Sequence, residues 1–275
     1  MRGLAEYVML GRRQAVIITL LCGFFPLLTL FSAATVALVT LRKGSSEGLL
    51  ILLWAMLPAG TFWALGDVSP TFICSGAFIV AWALRETRSW QLALLLATGV
   101  ALLAQFSLVF QQNYVTQVET VLSSGFGGRM DQASGTQYTA QQLSALLFSF
   151  YGAYHGLMVI VSVIIGRYWQ ALLYNPGGFQ QEFHHLRIDP RVMMLLVAII
   201  LAGLLDVEPI ASWMPLFCLT PMFAGLAFSH YMVAARKMGT PVLALCYLAL
   251  LFMPPVIILL GMTDSVMDLR KRIQK

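Results

Sequence analysis

Residues 15–41 read AVIITLLCGFFPLLTLFSAATVALVTL, a run without a single charged side chain that is closed by Arg42 and Lys43. A charge at the centre of a bilayer costs about 2.5–3.5 kcal/mol on insertion scales, so an apolar run of about 20 residues reads as a membrane-spanning helix. This run is longer than one upright span needs. Pro26 and the softer patch Ser32-Ala33-Ala34-Thr35 interrupt it. It is therefore either one tilted helix or a helix followed by a short returning segment.

Outward from this run the pattern repeats. Residues 48–66, 68–84, 89–118, 132–166, 209–235 and 238–263 are equally free of Asp, Glu, Lys and Arg. The series predicts an all-α fold: a polytopic transmembrane helical bundle of about seven to nine membrane segments, with a short or broken segment early in the chain. Residues 1–275 then form a single integral membrane domain. Hydrophobic residues make up 59% of the chain and charged residues 11%, well below the roughly 25% charged share of a soluble domain. The net charge of +5 is not a nucleic-acid signal, because the basic residues sit in short loops and at the termini, where they set topology and meet anionic lipid heads. Arg12-Arg13 precedes an apolar run too long for a signal-peptide core, so the first helix is expected to be retained. The four cysteines are isolated within apolar runs and form no CxxC pair.

The loops divide by charge. Those at 42–43, 85–88, 167–191 and 236–237 are rich in Arg and Lys, whereas Asp67, the segment 111–141 and Asp206–Glu208 are poor in them. If the first run is a single span, the loop at 42–43 falls on the wrong side of the membrane. If it is a helix followed by a short returning segment, all four rich loops become cytoplasmic. The second arrangement is therefore preferred. It makes 111–141 a polar periplasmic segment and 167–191 a cytoplasmic interfacial loop. The basic tail, 264–275, joins that side if Pro254-Pro255 splits the last run into a hairpin.

Little in the chain points to chemistry. No acidic or basic residue falls at the middle of a predicted span, which argues against a proton-coupled pump and removes the usual acid–base pair of an intramembrane enzyme. His155 and His230 are the candidate intramembrane polar residues, read first as helix–helix hydrogen-bond partners. His184-His185 lacks the convergent partners a metal needs, and SSGFGG (123–128) is not a phosphate loop. No catalytic residue, cofactor or metal is expected. Trp90, Trp169 and Trp213 sit near span ends, as interface anchors do. The stretch YNPGGFQQEFHHLRID (174–189) is the most distinctive polar sequence. Pro176-Gly177-Gly178 should turn the chain, and Phe179 and Phe183, four apart, should share one face of a short helix that dips into the lipid interface. Asn175, Phe179, Glu182, Phe183, His185 and Arg187 are the candidate functional surface, with Glu182, His185 and Arg187 meeting water or a partner.

Four stretches resemble one family. These are LVTLRKGSSEGLLILLWAMLPAG (38–60), RYWQALLYNPGGFQQEFHHLRIDP (167–190), FAGLAFSHYMVAARKMG (223–239) and the tail GMTDSVMDLRKR (261–272). Together they resemble the YybS-like family of bacterial membrane proteins, itself distantly similar to the substrate-binding S components of energy-coupling-factor vitamin transporters. The resemblance implies a compact bundle in the bacterial inner membrane. It also implies a small-xxx-small coupling face on the first helix, a spacing that Ala33 and Ala37 offer.

Two functions follow as expectations. A small-molecule binding or transport component should enclose a cavity reached from the outer side, with 111–141 as its lid. A scaffold or assembly factor should have a filled interior and bind a protein partner through 167–191 and the tail. The lipid bilayer is a partner in either case.

Overall fold

The computed structural model describes residues 1–125 and 140–273. Among these the chain is all-α, with no strand.

The first apolar run turns back on itself. Helix α1 (Arg2–Leu10) leads into α2 (Arg12–Gly23), which stops before Pro26; a single 3-10 turn, Pro26–Leu28, then opens α3 (Thr29–Lys43). Proline lacks the N–H that would continue α2, so the break falls where the sequence puts it. Helices α2 and α3 run antiparallel. Ser32 Oγ donates to the Thr19 carbonyl at 2.9 Å near the turn. At the other end Arg12 Nε donates to Glu47 Oε2 at 2.7 Å, in the first turn of α4 (Ser45–Ala64). The chain thus returns to the end of the bundle where α2 began. Helix α3 is the central post: residues from Ser32 to Leu41 are all buried, against α2, α4, α5 (Ser69–Thr87) and α9 (Tyr151–Tyr174).

Helices α4 and α5 form a hairpin at Asp67, whose Oδ1 accepts from the Ser69 amide at 2.8 Å. Helix α6 (Trp90–Ser107) starts at Ser89, whose hydroxyl accepts from the Leu92 amide. Helix α7 (Gln112–Gly125) and α8 (Ala140–Ser149) lie at the opposite end of the bundle, and the expected loop residues 126–139 lie outside the described residues. Gln105 fastens α6 to the break between α8 and α9, accepting from the Gly152 amide at 2.8 Å and donating to the Phe148 carbonyl at 3.0 Å.

The expected loop 167–191 is mostly helical. Helix α9 continues to Tyr174. A turn follows in which Gly177 takes the left-handed region (φ 84), and α10 spans Gly178–His185. An extended strap, 186–189, then leads into α11 (Pro190–Leu204), where Asp189 accepts from the Arg191 amide at 2.8 Å. Helices α12 (Ile210–Phe217) and α13 (Leu219–Ala235) run in series, and α14 (Thr240–Phe252) meets α15 (Pro254–Met267) at a bend of 112°. That bend returns the tail helix α16 (Leu269–Ile273) to the end where α10 lies. Helices α13 and α15 approach to backbone contact: a Cβ on Gly225 would sit 1.9 Å from the Ile257 carbonyl oxygen, and one on Gly261 2.0 Å from that of Pro221. Close approach through small residues is how helices pack where lipid removes the hydrophobic drive to associate.

Five helical stretches among the described residues are long and apolar enough to cross a membrane, or six with the α14–α15 pair taken as one bent span. The expected seven to nine segments also included α5, of 19 residues, and α11, of 15, which pack in the same bundle without meeting that measure. The outer surface is apolar, with Leu53, Leu103, Leu195 and Leu251 all more than half exposed, and α14 buries none of its residues. This is a membrane protein.

Candidate functional site

Helices α3, α5 and α9 end at the same end of the bundle, and their last carbonyls need donors. Arg85 Nη1 donates to the Leu41 carbonyl at 2.6 Å, and Gln170 Nε2 donates to the same oxygen at 3.2 Å. Arg167 grips Glu182 of α10 with both arms of its guanidinium, Nε reaching Oε2 at 3.0 Å. Trp90 Nε1 also donates to that oxygen, at 3.4 Å. Arg42 instead places its guanidinium carbon over the Tyr174 ring, 3.9 Å from the centroid. Arg88 closes the rim in a left-handed backbone conformation (φ 54) and has no side-chain partner among the described residues.

These groups enclose a cleft of about 730 Å³ lined by Leu41, Arg42, Leu84, Arg85, Glu86, Arg88, Arg167, Gln170 and Glu182. Four guanidinium groups face two carboxylates. Glu86 is 3.9 Å from Arg85, too far for a hydrogen bond. A second cleft of about 440 Å³ continues along α10, sharing Arg88 and Glu182 and adding His185, Arg187 and Asp189.

Beside it the strap and the tail are tied together. Arg187 pairs with Asp268 at 2.8 Å and donates to the Ser265 carbonyl at 3.1 Å. Arg270 pairs with the buried Asp264 at 2.9 Å and donates to the carbonyls of His184 and Leu186. The hydrogen bond from Lys271, followed by that from Arg187, holds the Asp268 carboxyl below its ordinary range. Burial, with Arg270 and His185 nearby, holds the His184 imidazole below its own.

Several sequence expectations are corrected here. Phe179 and Phe183 do share one face, with rings 5.7 Å apart, but it faces inward. Phe179 packs edge-on to Trp90 and Tyr168, and Phe183 edge-on to His230. Glu182 and Arg187 keep part of their surface open to the clefts, but each is also held in an internal ion pair, with Arg167 and Asp268 respectively. Asn175 and His185 are exposed, and His185 Nδ1 lies 2.7 Å from the Gln181 carbonyl. Trp90 and Trp169 are not interface anchors but are buried, Trp169 stacking on Phe31. His230 joins two helices through Tyr247 Oη at 2.9 Å. His155 does not join helices: its Nδ1 bonds the Tyr151 carbonyl of its own helix at 2.8 Å, and Phe72, Tyr151 and Tyr154 surround its ring. Ala33 and Ala37 are buried, and Ala37 faces Gly166 of α9, so this small-residue stripe packs within the chain and is not free for coupling.

The expected outward cavity is not matched in place. The end near α7 shows an open cleft of about 220 Å³ lined by Thr116, Glu119, Thr120, Ser123 and Gln141, far smaller than the arginine-lined one at the other end. The sequence reading missed Arg42, Arg85, Arg88, Arg167 and Gln170 as site residues, having used the arginines only to orient loops. Their shared loop side was the available signal. No group of three or more His, Cys, Asp or Glu converges as a metal site among the described residues. Comparison of the chain with protein-family models, curated proteins and solved structures finds no match.

Proposed function

We propose that this chain is a non-enzymatic, multi-pass scaffold of the bacterial inner membrane that offers its arginine-rich end, on the cytoplasmic side, to a protein partner. The filled interior carries this reading. Between the two ends the helices close on each other through Gly76, Gly156, Gly166, Gly225 and Gly261, where even a methyl group would collide, and a large apolar cluster with a small second one around Ala101, Ala153 and Leu216 fills the bundle. A transport component needs room for its cargo at depth, and the sizeable clefts lie at the surface. The cytoplasmic assignment rests on the Arg/Lys content of this end. The inner-membrane assignment follows the resemblance to the YybS-like family.

The working face in this reading is the outer side of α10 and its turn. Asn175, Gln180, Gln181, His185 and Asp189 are exposed there. Beneath them the Arg167–Glu182 and Arg187–Asp268 pairs hold the backbone in place. Those pairs commit Glu182 and Arg187 to holding α10 and the strap in place, in keeping with a binding role. A photo-crosslinking residue placed at Gln180 or His185 in living cells should give a discrete protein adduct, and one at the lipid-exposed Leu251 should not. Absence of any adduct at both positions, or a small molecule held within the bundle in native mass spectrometry, contradicts the scaffold reading.

A further inference from the structure

We propose that the cleft between the ends of α3, α5 and α9 is a phosphate-binding site, with Arg42 and Arg88 as its free ligands. The four arginines of this cleft are not equivalent. Arg85 is spent on the Leu41 carbonyl, and Arg167 on Glu182. Arg42 has neither carboxylate nor carbonyl, only the face of Tyr174, and Arg88 has no side-chain partner among the described residues. Two guanidinium groups with their hydrogen-bonding forks unclaimed thus line one concave surface. Arg85 and Arg167 line the same cleft, but each already holds an internal partner.

The chemistry of that pair selects the ligand. Guanidinium presents parallel N–H donors that match two oxygens of a phosphate, and charge-assisted bonds of this kind are about twice as strong as neutral ones. A phosphate monoester carries about −1.5 to −2 charge at neutral pH, which balances the excess of two positive charges over Glu86 and Glu182. The contact of Arg42 with Tyr174 also suits this role: the ring holds the guanidinium through its face and claims none of its hydrogen-bond donors. At about 730 Å³ the cleft falls within the usual size of small-ligand sites. Two sources supply the group. An anionic lipid headgroup reaches the cleft from the leaflet, since half-exposed Trp82, Tyr168 and Tyr174 mark this level of the bundle as interfacial. A soluble phosphate ester reaches it from the aqueous side.

The test uses the purified full-length chain in two arms. In the first, native mass spectrometry measures lipid retained from mixed vesicles of phosphatidylglycerol and phosphatidylcholine. In the second, calorimetry follows titration with inorganic phosphate and with glycerol phosphate. Each arm compares the wild type with Arg88→Gln, the double variant Arg42→Gln/Arg88→Gln, the double lysine variant, and Arg236→Gln, an exposed arginine outside the cleft. We expect the double glutamine variant to lose roughly tenfold or more in one arm, the lysine variant to recover only part of this, and Arg236→Gln to match the wild type. Loss confined to the lipid arm assigns a headgroup, and loss in the titration arm assigns a soluble ester. The single variant gives the same direction should the double variant fail to fold. Binding in neither arm, or an equal loss in Arg236→Gln, overturns the proposal.

Discussion

Arg187 Nη1 lies 2.8 Å from Asp268 Oδ2, joining the strap after α10 to the first residue beyond α15. This ion pair, with Arg270 donating to the carbonyls of His184 and Leu186, fixes the tail against the arginine-rich end. The 112° bend at Pro254 is what brings the tail within reach, and the ion pairs hold it there.

Breaking the deepest of these pairs should be costly. Asp264 and Arg270 are almost fully enclosed, with side-chain exposures of 2% and 11%. Removing one partner of a buried pair strands the other charge, at about 3–5 kcal/mol. Asp264→Ala should therefore lower the thermal midpoint of the purified protein by several degrees or more, whereas Arg272→Ala, on the exposed side of α16, should leave it unchanged. Size-exclusion after graded heating measures both.

Acidification should loosen the same junction. Asp268 is held below the ordinary carboxyl range by Lys271 and Arg187, and His184 below the ordinary imidazole range by burial. Both groups bind fewer protons folded than unfolded, so both contribute stability above their ordinary values that is lost as pH falls. The histidine contribution goes first, as pH drops from about 6.5 towards its lowered value; that of Asp268 persists until pH passes below the usual carboxylate value of about 3.9. Thermal midpoints from pH 8 to pH 4 should fall in the wild type, with a flatter profile between pH 7 and pH 5 in His184→Gln. An identical profile in that variant removes His184 from the account.

Helix contact through glycine gives a sharper test of packing. Gly225→Ala places a methyl group 1.9 Å from the Ile257 carbonyl oxygen, a backbone atom that cannot swing aside. Overpacking of this kind costs about 1–3 kcal/mol or more, so the variant should lose thermal stability and monodispersity. Gly60→Ala, with nothing within 4 Å, should behave as wild type. Equal behaviour of the two variants argues against the close α13–α15 contact.

The apolar spans and the early reversal were legible in the sequence for one physical reason, whereas the extents of α7 and α10 were not, and the reversal at Pro254 was only one of two arrangements the sequence allowed. Charge is expensive at depth, so Arg42, Asp67, Arg85 and Arg236 mark where the chain surfaces, and Pro26 and Pro254 mark where helices must break. The fate of each arginine was not legible. Arg167, Arg187 and Arg270 lie in polar sequence much like that around Arg42 and Arg88, yet the first three fold in against carboxylates. The partners of Arg167 and Arg187 are set by where α10 and the strap dock, a tertiary fact with no local signature, while Asp264 lies only six residues before Arg270 at the end of α15. The same docking turns Trp90 and Phe179 inward although their positions near a span end suggest the interface.

The central claim is that one end of the bundle gathers the α3–α4 turn, α10 and the tail, and that this end is cytoplasmic. Single cysteines at Ser46, Gln180 and Lys271, in a variant lacking the four native cysteines, test it by labelling with a membrane-impermeant thiol reagent, with Glu208 as the opposite-end reference. All three should react only after the membrane is permeabilised, and Glu208 should react in intact cells. Opposite accessibility of Ser46 and Gln180, or labelling of Lys271 from outside, contradicts the account.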